Sequence, residues 1–178
     1  NNFKITSRLI KNIQAIILTN SRGGDKLKGK YKEKQNYIGN KYDGEITYTP
    51  VSYLHTEEYM NNLIDFINSN HSENLLIKTA IIHAYFELIH PFEDGNGRIG
   101  RMIMFKECLR HGVMPFIIDD KHRRQYLDGI REWDNNHTVL TEVVLTAQER
   151  FGAQIELQRL MEHGQNFLPE NYSAYEEE

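Results

Sequence analysis

The chain has 178 residues, 39% hydrophobic and 26% charged, which suits one compact domain with a core of its own. A formal charge of −4 with no basic run argues against a nucleic-acid partner, because phosphate-backbone binding needs a cationic face. The longest apolar runs fall well short of the roughly 18 residues needed to span a bilayer, and no signal-peptide pattern opens the chain, so a soluble, cytoplasmic protein is expected.

In chain order, Ile5, Leu9, Ile10, Ile13, Ile16 and Ile17 recur at helical spacing with Lys4, Arg8, Lys11 and Gln14 between them, predicting a core-facing helix over 5–18. Over 20–44 the composition shifts to Gly, Lys, Asn and Asp, and Lys26, Lys28, Lys30, Lys32 and Lys34 alternate. This reads as a solvated loop, with a target-binding patch as the alternative. Residues 36–39 and 45–48 are β-prone and bracket Asp43 and Gly44, a hairpin-turn signal. An unpaired strand edge can hold an extended segment through main-chain bonds. Thr56, Glu57 and Glu58 supply a cap and an acidic first turn for a helix that carries Tyr59, Leu63, Ile64, Phe66 and Ile67 and ends near Asn68. After a polar break over 69–73, Leu76, Ile77, Ala80, Ile81, Ala84, Tyr85 and Leu88 make the next helix, over 74–89, apolar on most sides and therefore central.

The stretch 90–101, His-Pro-Phe-Glu-Asp-Gly-Asn-Gly-Arg-Ile-Gly-Arg, then joins this helix to another over 99–111. Pro91 stops the helix after His90, and Phe92 can bury its ring to pin the loop. Gly95, Asn96 and Gly97 stand at a helix start, where unpaired N–H groups and the positive end of the dipole suit a phosphate. Arg98 and Arg101, three residues apart, share one face of the first turn. They oppose the helix dipole, a penalty that a bound anion would reverse, and their planar forks match phosphate oxygens. Asp94 is the carboxylate nearest this nest, as a Mg²⁺ site requires. His90 is the group able to take a proton near neutral pH, whereas Glu93 reads as a solvated carboxylate. Together these are the parts for attack on a nucleotide phosphate. His83, seven residues before His90, reads as a hydrogen-bonded core histidine. A zinc site from His83, His90 and Asp94 lacks the thiols and paired histidines of familiar zinc motifs.

Residues 90–101 match HPFx(D/E)GNGRxxR at every specified position, and through that motif the chain resembles the Fic family, most of whose members transfer AMP from ATP to a protein hydroxyl. Nine specified positions at roughly one in twenty each make a chance match on the order of 10⁻¹² per site. The resemblance implies that His90 is the general base for the target hydroxyl and that Asp94 holds Mg²⁺ against the α- and β-phosphates. It implies an anion hole from Gly95, Asn96 and Gly97, with Arg98 stabilising the phosphates at the transition state and Arg101 holding the γ-phosphate. The related Doc branch, which phosphorylates its target, carries Lys at the place of Gly97, so glycine favours AMP transfer. Relatives that move other nucleotides or phosphocholine remain open. Residues 35–39 and 48–50 look like the family's β-hairpin flap, whose edge, here Ile46, Thr47 and Tyr48, would align the target side chain.

Further along, Met102, Ile103, Phe105 and Leu109 continue a buried helix that Gly112 closes in a C′ position. Cys108 stands alone and reads as a buried thiol. An extended connector over 113–118 leads to helices over 121–133 and 138–163. By family resemblance Tyr126, and after it Trp133, would contact the base of the nucleotide, although such residues on a helix more often serve a core. Many Fic proteins are held inactive by a helix bearing (S/T)xxxE(G/N), whose glutamate pairs with the last motif arginine, here Arg101. Ser69, Glu73 and Asn74 fit that text but fall in the polar break, so the inhibitory element is expected before Asn1 or on a partner such as an antitoxin.

The expected architecture is therefore all-α, mainly helical, with a small β-hairpin flap beside the active-site loop. One domain is expected over 1–168, the resemblance covering roughly 35–151, with an acidic, disordered tail over 169–178. The expected activity is protein adenylyltransferase: ATP as substrate, Mg²⁺ as cofactor, and a Ser, Thr or Tyr hydroxyl of a target protein, or of the chain itself, as acceptor. The alternatives are a nucleotide-binding regulatory module without turnover, or a Fic-type enzyme that transfers another group or removes AMP. A homodimer stays open.

Overall fold

The structure, a computed structural model, describes residues 4–19, 27–39, 46–69, 74–132 and 135–164. Among these are helices α1 (Ser7–Thr19), α2 (Thr56–Asn68), α3 (Leu75–Ile89), α4 (Asn96–Arg110), α5 (Arg123–Arg131) and α6 (Thr138–Gly164), with two short strands, β1 (Ile38–Gly39) and β2 (Ile46–Tyr48). The mainly helical class is as expected, and each predicted helix is present. None is long and apolar enough to cross a membrane.

The chain divides after Val113 into two compact units. In the first, α3 packs against α2 and α4, and α1 touches both α2 and α4. Its core gathers Ile5 and Ile10, Met60, Leu63, Ile64 and Ile67, Ile82, Phe86 and Ile89, then Phe92, Ile99 and Ile103. Ile5, Ile10, Leu63, Ile64, Ile67, Phe92 and Ile103 are apolar positions of the sequence pattern, whereas Met60, Ile82, Phe86 and Ile89 lie outside it, and Ile16, Tyr59, Tyr85, Met102 and Leu109, which the pattern places on apolar faces, are exposed. α3 is the central element, with ten of its fifteen residues buried. Asn74 caps its start by accepting from the Leu76 amide at 2.9 Å. Its buried Lys78 reaches back to donate to the carbonyls of Ile67 and Ser69, at 3.3 and 2.7 Å. A cation thus satisfies orphan carbonyls at the C-terminal end of α2.

β1 and β2 pair antiparallel, Ile38 opposite Tyr48. The flap strands are present where expected; the turn at Asp43 and Gly44 lies outside the described residues. In the second unit α5 packs on α6. Their buried positions are Tyr126, Ile130, Leu140, Val143, Val144 and Ala147. Gly129 sits at the crossing, where an added Cβ would stand 2.7 Å from the Leu140 backbone nitrogen. Cys108 is buried, its thiol 3.7 Å from the Thr79 hydroxyl, and burial raises its pKa.

Candidate active site

The site is built where α3 is made to stop. Pro91 has no N–H to continue the helix, and His90 caps it in the left-handed conformation, φ 48° and ψ 61°, its own amide donating to the Phe86 carbonyl at 3.0 Å. Among the described residues it alone, glycines aside, has a positive φ. Backbone strain of this kind persists only where the surroundings over-determine it.

The surroundings do so carbonyl by carbonyl. Ile89 accepts from Lys32 Nζ at 3.0 Å, His90 from Asn36 Nδ2 at 2.9 Å, and Pro91 from the Lys32 amide at 2.8 Å. Phe92 accepts from Asn36 Nδ2 at 3.1 Å and Asn96 Nδ2 at 2.7 Å, and Asp94 from Gln14 Nε2 at 3.3 Å. Lys32 Nζ also donates to Asn36 Oδ1 at 2.8 Å, so one buried ammonium ties the flap's root to the end of α3. Burial lowers its pKa from the usual 10.5 to about 8. Lys32 therefore departs from the expected solvated lysine row, whose members Lys28, Lys30 and Lys34 are indeed exposed and whose Lys26 lies outside the described residues. Phe92 is fully buried, its ring 5.3 Å from that of Tyr31, and Tyr31 shares a 2.9 Å hydrogen bond with Ser7.

After the clamp the chain turns through Gly95, whose φ of 87° suits a residue without a Cβ, and α4 begins at Asn96. The helix therefore starts inside the glycine-flanked turn, three residues earlier than the apolar pattern indicated. The Gly95 amide is taken by Asp94 Oδ1 at 2.7 Å, and the Asn96 carboxamide is buried against Phe92, accepting from its amide at 2.9 Å. What α4 offers an anion is then the first-turn backbone from Asn96 to Arg98, where no preceding carbonyl exists to accept. Arg98 Nη2 stands 3.7 Å from Asp94 Oδ1. A Cβ at Gly97 would meet Arg101 Nη1 at 3.3 Å, so the missing side chain leaves the Arg101 guanidinium its place over the turn.

These groups line one open polar cup of about 310 Å³, formed by His90, Glu93, Asp94, Gly95, Asn96, Gly97, Arg98 and Arg101. That volume is at the small end of the range for ligand sites. Asp94 is a partly exposed oxygen donor in this lining, and no group of three or more His, Cys, Asp or Glu is placed to hold a metal ion among the described residues. A single carboxylate beside an anion nest fits Mg²⁺ shared with phosphates and water, and does not fit a zinc cage.

Elsewhere the expected site residues are more scattered. Ile46 is exposed on the flap, while Tyr48 is half-buried and donates from its hydroxyl to the Leu88 carbonyl at 3.2 Å; the Thr47 side chain lies outside the described residues. Val51 donates to the same carbonyl at 3.4 Å, so the flap's second strand is anchored to α3 just before His90. Tyr126 is buried on α5 in the second unit, and Trp133 and Glu73 lie outside the described residues. Sequence reasoning missed Lys32, Asn36 and Gln14. Their partners at the end of α3 and in the loop are 54 to 80 positions away, and no local pattern announces such contacts.

The fold and the cup define the Fic class of helical domain, and comparison with known proteins agrees. The sequence profile of the Fic/DOC family matches residues 4–108, so the chain belongs to that family. The match takes in α1, starts well before the expected position 35, and ends within α4. A probable protein adenylyltransferase of Aquifex aeolicus is 26% identical over 115 residues, 65% of this chain and 33% of that protein. Protein adenylyltransferase fic-1 of Caenorhabditis elegans is 30% identical over 100 residues, 55% of this chain and 18% of that protein. The chain thus spans about a third or less of the length of these curated relatives. Among solved structures, a Fic-domain-containing signaling protein from Bacteroides thetaiotaomicron superposes with a TM-score of 0.65 at 23% identity, over 83% of this chain and 59% of that one. A Fic family protein from Desulfovibrio desulfuricans gives 0.63 at 21% identity, over 87% and 48%.

Proposed function

We propose that this chain is a protein adenylyltransferase, transferring AMP from ATP to a Ser, Thr or Tyr hydroxyl of a target protein. The observation that carries this reading is the cup itself, in which an imidazole, a carboxylate, a helix N-terminus and two guanidiniums converge on one polar cavity. The adenylyltransferase names of the relatives support it at modest identity.

In the proposed reaction the target hydroxyl oxygen bonds to the α-phosphorus, and the bond from that phosphorus to the bridging oxygen of pyrophosphate breaks. His90 receives the hydroxyl proton, and pyrophosphate leaves with the electron pair. First-turn amides of α4 and the Arg98 guanidinium stabilise charge that builds on the phosphate oxygens. Arg101 holds the far end of the triphosphate and so orients the α-phosphate. Asp94 would hold Mg²⁺, which neutralises phosphate charge when bound. Glycine at 97, where the phosphorylating branch carries lysine, favours AMP over phosphate transfer. The exposed flap edge at Ile46 would hold an extended target segment through its main chain.

Incubation with ATP and Mg²⁺, followed by mass spectrometry of the chain and of supplied protein, tests the assignment. Addition of an adenylyl group is expected, and His90→Ala should abolish it with nucleotide binding largely kept. Tight ATP binding with no transfer in calorimetry would instead identify a binding module, and addition of phosphate alone would move the chain to the phosphorylating branch.

A further inference from the structure

The last two turns of α3 hold an arrangement that the proposed reaction has not used. Glu87 Oε2 lies 4.0 Å from His90 Nδ1, and Glu87 Oε1 lies 4.0 Å from His83 Nε2. The spacings of four and three residues place all three side chains on one face of the helix end. None is well solvated: their side chains are 13% (His83), 18% (Glu87) and 23% (His90) exposed. The face is closed by α4. A Cβ at Gly100 would stand 2.8 Å from Glu87 Oε1, 3.2 Å from Phe86 Cδ1 and 3.3 Å from His83 Cδ2. Gly100 is thus where α4 comes close enough to seat the Glu87 carboxylate between two imidazoles.

We infer that Glu87 is a positioning residue for His90, accepting from Nδ1–H and so keeping the lone pair on Nε2 for the incoming hydroxyl, while His83 steadies the carboxylate from its other oxygen. A carboxylate on one ring nitrogen fixes which tautomer a histidine base adopts, and it stabilises the imidazolium that forms when the base takes its proton. The contact is longer than a hydrogen bond, as catalytic contacts often are before substrate binds. The inference rests on His90 serving as the base. It adds a reason for Gly100: a side chain there would push the carboxylate off its seat.

Two readouts test this, one independent of turnover. In ¹⁵N-labelled protein the imidazole nitrogens of His90 report its tautomer; the parent should hold the proton mainly on Nδ1, and Glu87→Ala should shift it toward Nε2. In AMP transfer, Glu87→Ala should lower kcat on the order of 100-fold with the ATP KM within about twofold. Glu87→Gln, which keeps an acceptor oxygen, should recover part of the loss. Gly100→Ala, which keeps the Glu87 side chain but moves its carboxylate, should repeat both effects, and it serves with Glu87→Gln if the Glu87→Ala variant does not fold. Unchanged tautomer and kcat in the Glu87 variants would overturn the inference. So would losses in kcat and ATP affinity that run in parallel. A parent without transfer activity would defeat the proposed function alone, because the nitrogen spectra still decide the role of Glu87.

Discussion

At the scale of the residue, Lys32 shows how much of this site is held from outside its motif. A buried ammonium costs free energy unless its donors are used, and here they are used on Ile89 and Asn36. Its lowered pKa sets a sign. Below about pH 8 both folded and unfolded chains carry the proton and the burial cost is fully present. Between about 8 and the ordinary 10.5 the unfolded chain still binds the proton that the folded chain has lost, so stability rises with pH through that window. Urea unfolding of the parent against Lys32→Met should show the parent gaining, relative to the variant, on the order of 2 kcal/mol across it. A difference independent of pH would mean that the ammonium is hydrated. Nothing in the alternating lysines distinguishes Lys32 from its neighbours, since inward and outward positions along an irregular strap have no period; its direction is fixed only once the end of α3 arrives.

At the scale of the element, glycine positions decide how closely helices approach. Gly129 on α5 faces the Leu140 backbone, where an added Cβ would lie 2.7 Å from the nitrogen and 2.9 Å from Cα. Backbone cannot swing aside as a side chain can. Alanine at 129 should therefore destabilise the second unit by about 1–3 kcal/mol in thermal or urea unfolding, although alanine is the better helix former. A stabilised variant would show that α5 and α6 cross elsewhere. The helices themselves were legible because α1 and α2 carry apolar residues at helical spacing and α3 is apolar on most sides; the cap expected of Thr56 is not made, its hydroxyl donating to the Ser52 carbonyl instead. The start of α4 was not, because Asn96, Gly97 and Arg98 are poor witnesses to a helix: their burial and charge serve the loop and the cup, and the apolar pattern begins only at Ile99.

At the scale of the whole molecule, the cup belongs to the first unit, and every group lining it comes from twelve consecutive residues. That is why the candidate site could be read from sequence more completely than the fold around it: its chemistry is local, whereas its rigidity comes from Gln14, Lys32 and Asn36 across long separations. A ligand that grips such a cup adds its binding energy to folding. At about 100 times its Kd, ATP with Mg²⁺ should contribute roughly 2.7 kcal/mol, a rise of several degrees in the melting temperature of the first unit. Arg101→Ala should shrink that rise, and an unmoved transition in the parent would argue against nucleotide binding.

The left-handed backbone at position 90 bears on how the base is best removed. Alanine tolerates φ 48° poorly, whereas asparagine visits that region several times more readily than most side chains. A weakened grip on ATP in His90→Ala could thus report a relaxed main chain instead of a lost imidazole, and His90→Asn is the cleaner knock-out.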